Sequence, residues 1–153
     1  MAGLTYGTTT AITITLNSLA NAGVRECNAV DNGTDLFIDA MVTIMCKLAA
    51  GSPAGNKLIN IYGYNCEDGT NFQDNVTGSD AAVTLRVPTA LTKIRAAACP
   101  DSGGLTYKIV IPSFAAVYCG FLARKWGIVI HNDTGLAFDS SGCSASYSGI
   151  KFA

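Results

Sequence analysis

The chain carries little charge for its length. Only 14% of its 153 residues are Asp, Glu, Lys or Arg, against about 25% in an ordinary soluble domain. Glutamate occurs only at Glu26 and Glu67, and Ala, Gly, Ser, Thr and Asn fill the space that charges usually occupy. The composition fits a β-domain whose outer faces are partly covered by neighbouring molecules, and equally an ordinary β-protein with a Thr/Ser/Asn-rich surface.

A concentration of positive charge is also missing. The formal net charge is −1, and Arg124-Lys125 is the one adjacent basic pair. Nucleic-acid binding leaves a basic stripe on the surface, so we expect no direct nucleic-acid partner.

Long apolar runs and a secretion signal are absent as well. The longest apolar tract, 36–50, is interrupted by Asp39 and Lys47, whereas a membrane-spanning helix needs about 20 apolar residues. The opening Met-Ala-Gly-Leu-Thr has neither a basic nor an apolar signal region. We therefore expect synthesis in a cytoplasm and no membrane partner.

The six cysteines lack the close spacing of redox or zinc motifs. They are Cys27, Cys46, Cys66, Cys99, Cys119 and Cys143. Their even number permits three disulfides in any of several pairings, but a cytoplasmic origin favours reduced thiols. Cys46 lies on an apolar strand face, where a thiol acts as a small hydrophobic group.

Catalytic motifs are scarce. His131 is the single histidine, and no nucleophile elbow, phosphate-binding loop or EF-hand pattern occurs. We predict that His131 ends a strand and bonds to the turn that follows. Asp68, Asp74 and Asp80 lie in a turn-rich loop, where Asp usually bonds its own backbone. The sequence thus predicts no enzyme, no catalytic residue, no cofactor and no metal, with a calcium site or a glycan-cleaving carboxylate pair as weaker alternatives.

Alternating apolar and polar residues recur along the whole chain and predict strands. The predicted strands are 8–16, 24–30, 35–48, 57–66, 82–87, 91–97, 105–111, 114–122, 126–131 and 144–152. The strand at 35–48 is apolar on both faces, which indicates a central position or a second face covered by a partner. No segment shows helical periodicity.

The fold class is therefore all-β. Without helical crossovers a parallel α/β fold is excluded, and we predict a jelly-roll-like β-sandwich of about eight to ten antiparallel strands. One sandwich domain covers 16–153, and 1–15 forms an extended N-terminal arm or an ordinary first strand.

Two sets of residues are candidates for interaction. The N-terminal segment is Gly/Thr-rich and uncharged, and as an arm it adds a strand to a neighbour; its candidate residues are Leu4, Thr5, Tyr6 and Thr8. Tyr62 and Tyr64 share one strand face and, with Phe72, form a possible sugar-stacking surface, although cross-strand aromatic packing is the more ordinary use.

Three segments, taken in order, resemble small virion proteins of tailed bacteriophages. They are Leu-Asn-Ser-Leu-Ala-Asn-Ala-Gly at 16–23, Gly-Asn-Lys-Leu-Ile-Asn-Ile-Tyr-Gly-Tyr at 55–64 with its continuation through Asp-Gly-Thr-Asn-Phe to 82, and Arg-Lys-Trp-Gly-Ile-Val-Ile-His-Asn-Asp-Thr-Gly at 124–135. The resemblance covers residues from about 16 to the C-terminus. It brings no catalytic motif.

The resemblance implies an assembly role on the surface of the virion. Capsid decoration (cement) proteins bind the major capsid protein at capsomer junctions and brace the shell. A homo-oligomer is then expected, with a trimer favoured because trimers suit threefold junctions. The alternative is a tail-associated fibre or receptor-binding module that contacts host glycan.

Overall fold

A computed structural model describes residues 3–118 and 120–153. In chain order its elements are β1 (Leu4–Tyr6), β2 (Thr10–Ala11), β3 (Val24–Glu26), β4 (Val30–Asp31), β5 (Asp39–Lys47), β6 (Leu58–Cys66), β7 (Ala81–Ala82), β8 (Thr92–Ala98), β9 (Thr106–Ile111), α1 (Phe114–Tyr118), β10 (Lys125–Asp133) and β11 (Ser144–Phe152). The strands form two antiparallel sheets packed face to face, which confirms the all-β sandwich.

The strand order is that of a jelly roll. Sheet A runs β1-β11-β5-β9 with β2 also on β11, and sheet B runs β7-β3-β10-β6-β8 with β4 also on β10. The pairings are nested: the N-terminal strands pair with β11, β3 and β4 with β10, β5 with β9, and β6 with β8. A long antiparallel ribbon rolled across two sheets gives this pattern, so the jelly-roll prediction is confirmed.

The core lies between the two sheets and follows strand alternation. In β5, Ala40, Val42, Ile44 and Cys46 are fully buried while the residues between them stay half-exposed. In β10 every residue from Trp126 to Ile130 is buried, so this strand is covered on both faces. Burial of a Val or Ile side chain contributes about 1.5–3 kcal/mol, so the alternation in β5 fixes which face of sheet A points outward.

Aromatic side chains join the two sheets at one end of the core. The Trp126 ring lies 4.7 Å from the Phe114 ring and 5.3 Å from the Tyr147 ring, measured between centroids. Tyr147 belongs to β11 of sheet A and Trp126 to β10 of sheet B. The edge-on contact between them is a favoured aromatic geometry and ties the sheets together.

One predicted strand is wrong. Residues 114–118 form the short helix α1 instead of a strand. The Ser113 hydroxyl accepts the Ala116 N–H at 3.2 Å, as an N-cap does, and Asp39 accepts the Ala115 N–H at 2.8 Å. The N-cap and the carboxylate of a distant strand accept hydrogen bonds from backbone N–H groups in the first turn of the helix. The alternation of nearby residues in the sequence did not reveal these contacts.

Other predicted strands are shorter or divided. Only 10–11 of the predicted 8–16 form a strand, 24–30 is split between β3 and β4, and 82–87 contributes only its first residue to β7. His131 lies inside β10, which continues to Asp133, so the predicted strand end at His131 is wrong by two residues.

The described cysteines are free thiols. Cys27, Cys46, Cys66 and Cys99 are buried and Cys143 is half-buried, as the sequence predicted; Cys119 lies outside the described residues. Burial raises the pKa of Cys27 from 9.0 to about 11, against smaller opposing hydrogen bonds from Tyr64 and Ile128. Burial likewise raises the pKa of Cys99 to about 11.

These thiols predict a loss of stability at alkaline pH. The unfolded chain releases the thiol protons near pH 9.0, whereas the folded chain holds them until about pH 11. Their contribution to the free energy of unfolding is therefore complete below pH 9.0 and declines as pH rises towards 11. Urea midpoints measured across this range should fall, and the fall should be smaller in a Cys27→Ala, Cys99→Ala variant. An identical fall in both proteins contradicts this origin.

Candidate interaction surfaces

The outward-facing residues of β5 and β11 in sheet A are half-exposed or exposed. Strand register places a serine column, Ser144, Ser146 and Ser148 of β11, opposite Met45, Thr43 and Met41 of β5. Met41, Thr43 and Met45 are half-exposed. The face is made of small polar and flexible apolar side chains, a composition that adapts to the surface of a partner.

One end of this face is strongly apolar. Leu4 stands opposite Phe152, and Tyr6 opposite Ile150. The exposed fractions are 60% for Leu4, 70% for Tyr6 and 62% for Phe152. We call these four residues the N-terminal strip. Large apolar groups exposed side by side mark interaction sites more often than isolated ones do.

The strand residues of this face carry few charges, and two of the three are engaged. The Asp39 carboxylate accepts hydrogen bonds from Ser113 and from the Ala115 N–H. The Lys47 ammonium lies 3.4 Å from the Asp139 carboxylate. Lys108 on β9 is the third charged strand residue. Desolvating this face on binding therefore costs little, since few charges lose water.

A polar loop covers part of the outer face of sheet B. The carboxylate of Glu26, only 1% exposed, accepts the Thr77 N–H at 3.0 Å, the Thr77 hydroxyl at 2.9 Å and the Gly78 N–H at 2.8 Å. This buried carboxylate holds the end of loop 67–80 against β3. The charge is tolerated because several donors satisfy it.

Tyr64 lies underneath this loop. Its ring meets the Phe72 ring edge-on at 5.8 Å, and its hydroxyl donates to the carbonyl of Cys27 at 2.7 Å. Tyr64 is 0% exposed, and burial raises its pKa above the ordinary tyrosine value. The stacking surface suggested for Tyr62 and Tyr64 is therefore not available on Tyr64, although the two do share a strand face.

Tyr62 instead lines an open groove on the same face. The groove has a volume of about 620 Å³. Its other lining residues come from 19–24 and 82–89, together with His131. Val24 and His131 are paired across β3 and β10. The lining is mainly apolar, and its titratable groups are Tyr62, Arg86 and His131.

The loop carboxylates are occupied by neighbours. Asp68 accepts the N–H groups of Thr70 and Asn71 at 2.8 Å each, and these bonds lower its pKa well below the ordinary value. Burial would raise the pKa of Asp80, but the hydrogen bonds from Arg25 and Thr15 outweigh it and the net shift is downward. Asp74 behaves alike: Thr89, Ala90 and Arg86 offset its burial. Asp68 therefore bonds the backbone of its own loop, as predicted, whereas Asp74 and Asp80 bond residues outside loop 67–80, so the prediction is wrong for these two.

The candidate residues of the N-terminal segment lie together on the surface. Leu4, Thr5 and Tyr6 form β1, and Thr8 is exposed in the link to β2. In the isolated chain the segment pairs with β11 as a first strand. Sequence analysis did not single out Ile150 and Phe152, which complete the strip. The available signal was that both are apolar residues at the end of the predicted strand 144–152.

Comparison with models of known protein families and with curated proteins gives no match. Within 3–118 and 120–153 no helix reaches the length and apolarity that crossing a bilayer requires. The same residues contain no group of three or more His, Cys, Asp or Glu side chains placed to hold a metal ion.

The Glu26 contact predicts how the loop is held. Glu26→Ala removes the acceptor for three donors, so the free energy of unfolding should fall by about 2 kcal/mol or more, because buried donors are then unsatisfied. Hydrogen exchange at the Thr77 and Gly78 amides should accelerate more than exchange in β5. Glu26→Gln keeps one acceptor oxygen, so its free energy of unfolding should lie between that of the unaltered chain and that of Glu26→Ala. Unchanged protection at Thr77 and Gly78 would show that the loop is held elsewhere.

Proposed function

We propose that this chain is a structural protein of a tailed-bacteriophage virion, a decoration protein that binds the major capsid protein and stabilises the shell. The outer face of sheet A makes the contact. The jelly roll supports the proposal because viral capsid domains commonly use it, although the fold also carries other functions.

One observation carries the proposal: a whole sheet face is left half-exposed with few charges, while part of the opposite sheet is covered by the chain's own loop. A stable interface buries about 800 Å² from each partner. The serine column, the flanking methionines and the N-terminal strip give a continuous surface for such a contact. On a shell, many copies bound through modest contacts also act together.

The resemblance of three segments to phage virion proteins supports the same assignment. It is compatible with synthesis in a host cytoplasm and location on the capsid surface. In this proposal the chain has no catalytic residue and uses no cofactor, and its partner is protein rather than nucleic acid.

The groove at Tyr62 favours a second candidate, a tail-associated module that contacts host glycan. A half-exposed aromatic side chain in an open groove suits sugar stacking, and Tyr62 and His131 both line the groove. In this case Tyr62→Ala should remove glycan binding in saturation-transfer NMR, and Met41→Glu should leave it intact. If the chain is a capsid decoration protein, neither the Tyr62→Ala variant nor the Met41→Glu variant should give a glycan signal.

The capsid proposal is tested by the change Met41→Glu. Met41 faces outward from the middle of sheet A, so a carboxylate there should leave the fold intact and introduce an unpaired charge into the contact. Binding to particles depleted of this chain should weaken by about tenfold or more, equivalent to about 1.4 kcal/mol. Co-sedimentation with the particles measures the loss.

Ala96→Glu is the matched control. Ala96 is an exposed residue on β8, at the edge of the other sheet, so this variant should bind particles as the unaltered chain does. Equal binding by Met41→Glu and the unaltered chain, with both folded, would contradict contact through sheet A.

A further inference from the structure

The sandwich has four sheet edges, and three of them are protected against pairing with another strand. The edges are β1 with β2, and β9, in sheet A, and β7 and β8 in sheet B. Exposed edges are templates for strand addition, and proteins usually block them with charge, bulges, proline or shortness. The β1 edge differs from the other three.

The protection of β8 is the most complete. Opposite Ile61 and Tyr62 it presents Arg95 and Lys93, so Ile94 is an extra residue that interrupts the ladder. Charged side chains and an irregular register both discourage pairing. The β8 edge is therefore unsuited to strand addition.

The other two blocked edges use different means. β7 contains two residues, too few for a ladder. On β9, the Arg95 guanidinium donates to the carbonyl of Val110 at 2.9 Å, Lys108 is exposed, and Pro112 follows the strand. These features limit the backbone groups that β9 can offer.

The β1 edge is also short, at three residues, but it has no charge, bulge or proline. From Gly3 to Val24 the chain contains no Asp, Glu, Lys, Arg, His or Pro. Leu4, Thr5 and Tyr6 are all exposed. An unprotected strand edge beside exposed apolar side chains indicates a place where another strand binds.

The hydrogen-bond pattern shows which groups this edge offers. Ala153 donates its N–H to the carbonyl of Gly3 at 2.7 Å, and Gly7 donates to the carbonyl of Gly149 at 2.7 Å. In an antiparallel ladder, residues that bond the partner alternate with residues whose groups point away. The N–H and C=O of Leu4 and Tyr6 therefore point away from β11.

We propose that two copies of this chain pair antiparallel through their β1 edges about a twofold axis at Thr5. Leu4 of each copy then faces Tyr6 of the other, and the outward groups of these residues make reciprocal hydrogen bonds. Sheet A becomes continuous across both copies.

The edge is complementary to itself in three respects. An apolar pair, Leu4 and Tyr6, meets on each side of the axis, a combination that stabilises neighbouring strands. Thr5 meets Thr5 on the opposite face, also a favourable cross-strand pair. A twofold contact brings each charged residue near the same residue of the other copy. This stretch has no charged residues, so no like charges meet. These properties fit a second copy better than a charged partner strand.

The proposal favours a dimer over the trimer expected by analogy with threefold junctions. It does not rest on the capsid assignment, because it concerns the purified chain alone. Pairing along the edge also leaves the outer face of sheet A open and makes it continuous across the dimer. The contact is short compared with an interface of about 800 Å² per partner, so a modest affinity is expected.

The first experiment measures mass in solution by sedimentation equilibrium at concentrations up to about 1 mM, which detects free energies of association near −4 kcal/mol. The chain of 15.8 kDa should approach twice that mass as concentration rises. Leu4→Pro deletes an N–H that points away from β11, so it should weaken dimerisation by about tenfold or more. Ala96→Lys, on the protected β8 edge, should dimerise normally. The proposal is overturned if the unaltered chain stays monomeric or forms trimers. It is also overturned if the Leu4→Pro variant dimerises as well as the unaltered chain does.

A second variant decides the geometry if proline disturbs the fold. At the axis the two Thr5 Cα atoms should lie about 4.5 Å apart, within the roughly 4.4–6.8 Å that a disulfide spans. Thr5→Cys should therefore give a disulfide-linked dimer on mild oxidation. Thr8 is also exposed, but the strand rise would place the two sulfurs of a Thr8→Cys dimer roughly 20 Å apart. This variant should therefore give no more disulfide-linked dimer than the unaltered chain. Equal cross-linking by both variants, or none by Thr5→Cys, overturns the twofold pairing.

Discussion

Packing of the two sheets against each other is the constraint on which the rest of the structure depends. The buried side chains of β5 occupy alternate positions, so a slip of one residue would move them to solvent, whereas in β10 every residue from Trp126 to Ile130 is buried. Once Val42 and Ile44 point inward, Met41, Thr43 and Met45 must point outward, and through the shared register so must the serine column of β11. The surface proposed for binding is thus a consequence of the core.

The nested pairing carries this constraint to the chain ends. β1 pairs with the last strand, so Leu4 and Tyr6 meet Ile150 and Phe152 at the edge of sheet A. The Glu26 carboxylate completes the asymmetry by holding loop 67–80 over sheet B. One side of the sandwich is partly covered by the chain itself, and the other remains available to a partner.

Strand alternation made the fold class and the central strand predictable from sequence, because burial on a pleated surface has a period of two. The signal at 35–48 was apolar on both faces, and β5 does lie inside sheet A. Contacts between distant residues were not predictable: Asp39 helps start α1, and Glu26 binds a loop 51 positions away along the chain. Tyr64 was assigned to a possible surface because the loop that buries it could not be placed from sequence.

Of the candidate residues, Leu4 and Tyr6 lie on the exposed strip, whereas Tyr62 belongs to a separate groove. The most direct test of the central claim is the copy number of this chain in purified particles, counted by mass spectrometry against the major capsid protein. The account predicts a fixed ratio near one, or a simple fraction of it, as expected for a protein on the shell lattice. A few to tens of copies per particle, or none, would contradict it.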